Sequence, residues 1–252
     1  MLSAITYNIR PGHDDEIAEI FSAANFRRAA SPVLRDDDGT EVGRILGTGL
    51  FIRDDLMVRV IHHEGDIAAV GRHMAGQQGV KEAERRLVPY LAAPRDTATP
   101  ERFRAYFQRS LMTKLQDREL TARPGKIAAM RHRVKPGKAG EIAEVFANLP
   151  PAPDPSLRGD AGEVTGAILG VGLFLHGDVM IRAVRYQGGL DDLARFMADW
   201  PARPRLEAML EPYLDEDRPA TREEFLARFR ENTLRRISML TVADLSTATG
   251  GT

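Results

Sequence analysis

The chain has 252 residues, 43% hydrophobic and 28% charged, and its 35 lysines and arginines nearly balance 36 aspartates and glutamates. That balance leaves no electrostatic footprint for nucleic acid or an anionic membrane, and the absence of cysteine excludes disulfides, thiolate nucleophiles and cysteine-held metals. The start, Met1-Leu2-Ser3-Ala4, shows no charged leader, and no apolar run reaches the roughly 18 residues of a membrane span, so a cytoplasmic protein is expected.

Residues 4–9 alternate as a strand, with Ile5, Tyr7 and Ile9 on one face. Pro11-Gly12 ends it, and residues 13–26 have helical spacing at Ile17, Ile20 and Phe21 behind an acidic first turn. After a polar loop at 35–40 comes a β-hairpin, residues 43–60, whose apolar runs flank a turn at Arg53-Asp54-Asp55. Asp66 caps a helix through Met74, a second helix covers 80–91, and Thr99-Pro100 opens a third with Phe103, Tyr106 and Phe107 on its apolar face. A short strand near 111–115 closes the half, and 118–125 reads as a linker.

The pattern then restarts. Gly166-Ala-Ile-Leu-Gly-Val-Gly-Leu-Phe repeats Gly43-Arg-Ile-Leu-Gly-Thr-Gly-Leu-Phe, and Arg182 falls 123 residues after Arg59, as Gly166 does after Gly43. Glu141-Ile-Ala-Glu-Val-Phe answers Glu16-Ile-Ala-Glu-Ile-Phe, Pro212-Tyr213-Leu214 answers Pro89-Tyr90-Leu91, and a strand at 237–242 closes the second half before a tail, 245–252, expected to fray. Each half reads β-α-β-β-α-(α-α)-β, the order of a ferredoxin-like unit with extra helices. The expectation is an α+β chain of two such repeats, 1–120 and 126–244, with two four-stranded antiparallel sheets in a pseudo-dimeric α/β barrel.

The blocks Gly43-Arg-Ile-Leu-Gly-Thr-Gly, Asp55-Leu-Met-Val-Arg-Val60, Arg72-His73-Met74-Ala75, Pro89-Tyr90-Leu91 and Arg95-Asp96-Thr97 resemble the SchA/CurD-like family. The resemblance is close in the first half and looser in the second. It implies a place among aromatic polyketide biosynthesis proteins of spore pigments and antibiotics, some of them assigned as oxygenases. At fold level the duplicated unit is similar to antibiotic-biosynthesis monooxygenases, which use paired ferredoxin-like units without metal or flavin.

An arginine amid apolar strand residues is costly unless an anion meets it. Arg59 and Arg182 therefore either steady an oxyanion in a pocket or form structural ion pairs. His73 has Phe196 as its counterpart, an asymmetry expected if one copy keeps the chemistry, and it is the first choice for a general base. His63 shares a strand face with Arg59, whereas the adjacent His62 points the other way, so without a bulge the pair cannot converge on a metal, and no metal site is expected. Tyr7 and His132 hold equivalent positions on the first strands, and with Arg182, Tyr186 and Trp200 complete the candidate substrate contacts. The two Gly-x-Gly sequences lack the third glycine of a dinucleotide fingerprint, and their glycines leave room for a packed helix or a flat ligand.

The resulting expectation is a cofactor-independent monooxygenase acting on an aromatic polyketide. Molecular oxygen would be its co-substrate, with reduced flavin from a partner compatible with the same residues. An aromatic polyketide cyclase and a non-catalytic synthase subunit are the alternatives. No nucleic-acid or membrane partner is expected, and a homodimer is compatible with the duplication.

Overall fold

The computed structural model describes residues 1–26, 31–149 and 154–241. Its first repeat runs β1 (Leu2–Asn8), α1 (Asp14–Ile20), β2 (Val33–Arg35), β3 (Glu41–Arg53), β4 (Leu56–Glu64), α2 (Ile67–Gly76), α3 (Gln78–Leu87), α4 (Pro100–Ser110) and β5 (Thr113–Glu119). The second answers with β6 (Lys126–Arg133), α5 (Ala139–Ala147), β7 (Ser156–Arg158), β8 (Val164–His176), β9 (Val179–Gln187), α6 (Leu190–Asp199), α7 (Arg203–Leu210), α8 (Arg222–Asn232) and β10 (Arg235–Thr241).

The local signals account for most of these boundaries. Asp66 accepts the backbone N–H of Ala68, and Thr99 accepts that of Arg102 with Pro100 in the first turn, so both helices start where a side-chain oxygen takes an orphan donor. Both hairpins turn through a residue with positive φ, 55° at Asp54 and 60° at Gly177. Helix α1 stops at Ile20, short of the expected span, where the Asn25 side chain donates to the Glu19 carbonyl at 3.0 Å and draws the chain into turns. Strand β5 runs on to Glu119, through part of the stretch read as a linker. The tail at 245–252, and Val242 at the end of the last expected strand, lie outside the described residues.

The sheets are antiparallel and carry five strands each instead of four. Their orders are β1-β4-β3-β10 and β5-β8-β9-β6, with β2 and β7 added on β3 and β8. Those two strands have three residues each, too few for alternation to show in sequence. The compact units also cut across the repeats. Unit 1 comprises Met1–Met112 and the stretch from Arg235, and unit 2 comprises Thr113–Leu234. The last strand of each repeat thus joins the other repeat's first hairpin, β10 on β3 and β5 on β8.

The repeated glycines mark where the strands come close. A Cβ on Gly43, whose φ is +154°, would sit 2.2 Å from the Glu64 carbonyl oxygen, and one on Gly166 would sit 1.9 Å from that of Gln187. At Gly47 and Gly170, each beside a bulge, a Cβ would crowd the Leu240 and Arg118 carbonyls at 3.2 and 3.1 Å. The room that the Gly-x-Gly sequences leave goes to a neighbouring strand's backbone at these two glycines.

Unit 1 closes a core around Ile5, Ile17, Leu50, Met57 and Leu87. Unit 2 packs two clusters, one around Met130, Leu193 and Phe229, the other around Ile142, Leu173 and Leu206. Arg185, 1% exposed, fastens the connection before β6 by donating to Glu119 and to the carbonyls of Thr121 and Arg123. Among the described residues no helix is long and apolar enough to cross a membrane.

Candidate active site

Alternation on the unit 2 sheet sends Met130 and His132 of β6, Met180, Arg182 and Val184 of β9, and Gln116 and Arg118 of β5 toward one cavity. Helix α6 closes it with Phe196 and Met197 and ends at Trp200, while α7 adds Leu206 and Leu210, and α8 adds Phe225 and Phe229. Its volume is about 200 Å³ and its wall is largely apolar. An apolar cavity of about 150 Å³ in another protein takes benzene, so this space admits a larger flat ligand.

Arg182 is the anomaly in this wall. Its Nε is buried without a hydrogen-bond partner, and among the described residues no carboxylate meets its guanidinium. Burial alone pushes its pKa down to about 10, so it remains cationic at neutral pH. A guanidinium in that position lacks the anion that would offset its desolvation.

His132 lies on the neighbouring strand, opposite Met180. Its Nδ1 is 3.4 Å from Glu216 Oε2, and Asn232 Nδ2 donates to the same oxygen at 3.2 Å. The other carboxylate oxygen accepts the Arg133 backbone N–H at 2.8 Å. Asn232 Nδ2 also lies 3.3 Å from His132 Nδ1, and because a carboxylate beside that nitrogen is met best by an N–H, we assign the imidazole proton to Nδ1. Nε2 then carries the free lone pair and makes no hydrogen bond among the described residues. Burial raises the Glu216 pKa, but the bonds and charge from His132, the Arg133 N–H and Asn232 outweigh it, and the carboxyl lies below its usual range.

A depressed carboxylate pKa adds stability that is present above the unfolded value and lost as pH falls through the folded one. Glu216→Gln should therefore be less stable than the wild type by about 1–2 kcal/mol at pH 7. The gap should narrow as pH drops below the ordinary carboxylate range. Denaturant midpoints at pH 7 and pH 3.5 check this, and a gap that is the same at both would contradict it.

In unit 1 the equivalent positions carry a different set of contacts. Arg95 forms a buried ion pair with Glu84, and its guanidinium lies 5.0 Å from the Tyr7 ring centroid and 4.7 Å from that of Tyr106. Arg59, the counterpart of Arg182, stands 5.7 Å over Phe21. In unit 2 the repeat puts His132, Glu207, Arg218 and Arg228 at the positions of Tyr7, Glu84, Arg95 and Tyr106. There Glu207 pairs with Arg203 at 3.1 Å, and Arg218 is exposed.

The remaining candidates fall outside the cavity. His73 lies on α2 in unit 1, its Nε2 3.3 Å from Gln77 Nε2, with its pKa lowered by burial against a partly offsetting bond to the Ser31 backbone. The position it represents does line the cavity, through its counterpart Phe196. His63 is fully buried, with Nδ1 3.1 Å from the Gly65 carbonyl and Nε2 3.0 Å from Ser3 Oγ, so both ring nitrogens are engaged. Tyr186 is packed in the core opposite Ile168 and Lys126. Arg182, His132 and Trp200 are thus brought together, while Arg59 and Tyr7 belong to unit 1.

Sequence reasoning missed Glu216, although a signal was present. The run Asp215-Glu216-Asp217 replaces Ala92-Ala93-Pro94, so a carboxylate enters only the second copy, beside the histidine that replaces Tyr7. Among the described residues no cluster of three His, Asp or Glu side chains could hold a metal ion.

These features define a tandem ferredoxin-like protein with a ligand-sized apolar cavity in unit 2, lined by a cation and a histidine–carboxylate pair. The SchA/CurD like domain matches residues 1–119 and again 126–242, and the chain belongs to that family. It is 29% identical over 192 residues to the "42.8 kDa protein in whiE locus" of Streptomyces coelicolor, covering 75% of this chain and 45% of that one. It is also 29% identical over 192 residues to "Polyketide synthase CurD" of Streptomyces cyaneus, covering 73% and 47% respectively. The chain spans about half the length of these relatives. Among solved structures, an "anthrone oxidase-like protein" aligns over 99% of this chain and 94% of its own at 10% identity, with a TM-score of 0.40, too low a likeness to carry function.

Proposed function

We propose that the cavity of unit 2 is the active site of a cofactor-independent monooxygenase acting on an aromatic polyketide. The observation that carries this is Arg182, a cation without a counter-ion in an apolar cavity shared with the His132–Glu216 pair. A bound polyphenol or anthrone would supply the oxyanion that Arg182 lacks. Polyketide association in a relative's name favours a polyketide substrate.

In this reading His132 Nε2 removes a proton from the activated ring carbon, and Glu216 steadies the imidazolium that forms. Arg182 holds the enolate oxygen. The carbanion passes one electron to molecular oxygen, and the two radicals join as a peroxide. His132 returns its proton to that peroxide, and loss of water leaves a carbonyl. A ring methylene and O₂ thus become a quinone carbonyl and H₂O. The base assigned is His132 in place of His73, because His132 lines the cavity and His73 does not.

The test is turnover of an anthrone under ¹⁸O₂ with mass analysis of the product. Label in the quinone should fall by about 100-fold in His132→Gln and persist in His73→Gln. A cyclised, unoxidised product, or label lost only in His73→Gln, would overturn the reading.

A further inference from the structure

Arg182 is not the only unmet cation in the cavity. Arg118, on β5, lines the same space, is half-buried, and has neither a side-chain hydrogen bond nor an ion pair among the described residues. The other half-buried arginines there are occupied, Arg203 by Glu207 and Arg228 by the Asp217 carbonyl. Nothing in the sheet calls for a charge at position 118. Arg118 pairs with Val171, and the matching pair in the other sheet is Leu240 with Thr48, so the same row accepts a buried leucine. The Arg118 guanidinium lines the cavity and is available to an anion there.

The register gives the spacing between the two cations. Arg182 faces Leu173, which faces Gln116, whereas Arg118 faces Val171, which faces Val184. Arg118 therefore stands two strands and one side-chain row from Arg182, about 12 Å between Cα atoms from ordinary sheet spacings. One oxyanion cannot serve both. A fused-ring ligand with acidic groups at opposite ends can.

We infer that the ligand is an aromatic carboxylic acid whose carboxylate is held by Arg118 and whose ring oxyanion is held by Arg182. This rests on the cavity being the substrate site. It adds that the acid end is recognised at the edge of the sheet, by a strand that comes from the other repeat. Arginine suits that task because its planar fork matches a carboxylate.

The test compares 1,8-dihydroxyanthraquinone with its 3-carboxylate, titrated at pH 7 into the full chain, wild type and variants. The wild type should bind the carboxylate tenfold or more tightly than the plain quinone, and added salt should shrink the difference. Arg118→Leu, which places at this row the residue type of Leu240, should bring the carboxylate down to the affinity of the plain quinone, and Arg118→Lys should restore part of the preference. Equal binding of the two probes by the wild type would overturn the inference and leave the substrate site standing. So would Arg118→Leu weakening both probes alike. If neither probe binds, the substrate-site reading falls and this inference with it.

Discussion

Arg182→Met should unfold at a higher temperature than the wild type and turn over an aromatic substrate about 100-fold or more slowly. The opposite signs come from one cause. Methionine fills similar space without the desolvation that Arg182 carries unpaired in the free protein, a gain of roughly 1–3 kcal/mol. In the complex the arginine is the group that meets the developing oxyanion, and methionine cannot. Thermal unfolding and initial rates on the same preparations check both halves. A variant that is less stable and fully active would show that Arg182 is part of the scaffold.

The second large effect is in unit 1. The side chains of Arg95 and Glu84 are only 3% and 10% exposed, and they face each other among Tyr7 and Tyr106. Burial raises the Glu84 pKa despite the pull of Arg95 and Arg59. Glu84→Ala would strand the guanidinium and should cost about 3–5 kcal/mol. The double variant Glu84→Leu/Arg95→Leu should recover most of that, because it removes both charges and keeps the volume. Denaturant unfolding of the single and double variants is the measurement. A loss under about 1 kcal/mol for Glu84→Ala would mean that water relieves the stranded charge. The two units differ at these positions. In unit 2, His132 stands for Tyr7 and Arg228 for Tyr106, Glu207 pairs with Arg203, and Arg218, the counterpart of Arg95, is exposed.

The duplication and the order of elements were legible because periodicity and caps act locally. Asp66, Thr99 and the two hairpins stand where the pattern puts them. The exchange of β5 and β10 was not legible, since a strand carries the same alternation whichever sheet receives it. Only the glycine clearances at Gly47 and Gly170 record the incoming backbone, and in sequence they read equally as space for a ligand. Arg182 was legible as a charge among apolar neighbours, but Arg59 carried the same signal. What separates them is the Glu84 carboxylate, which feels Arg59 and has no equivalent acting on Arg182, and which comes from a helix distant in sequence. Asymmetry between repeats singled out the position of His73, which lies in unit 1, outside the cavity proposed as the active site. The cavity is lined by Phe196, and the histidine that lines it arises where the first copy has Tyr7.

Trp200 is the chain's only tryptophan and lines the cavity, so its fluorescence reports on whether an aromatic ligand enters unit 2. Titration with 1,8-dihydroxyanthraquinone near neutral pH should give saturable quenching in the wild type, at least tenfold weaker in Arg182→Met. Quenching that does not saturate, or that follows the same curve in Arg182→Met, would contradict the assignment of this cavity and its arginine as the substrate site.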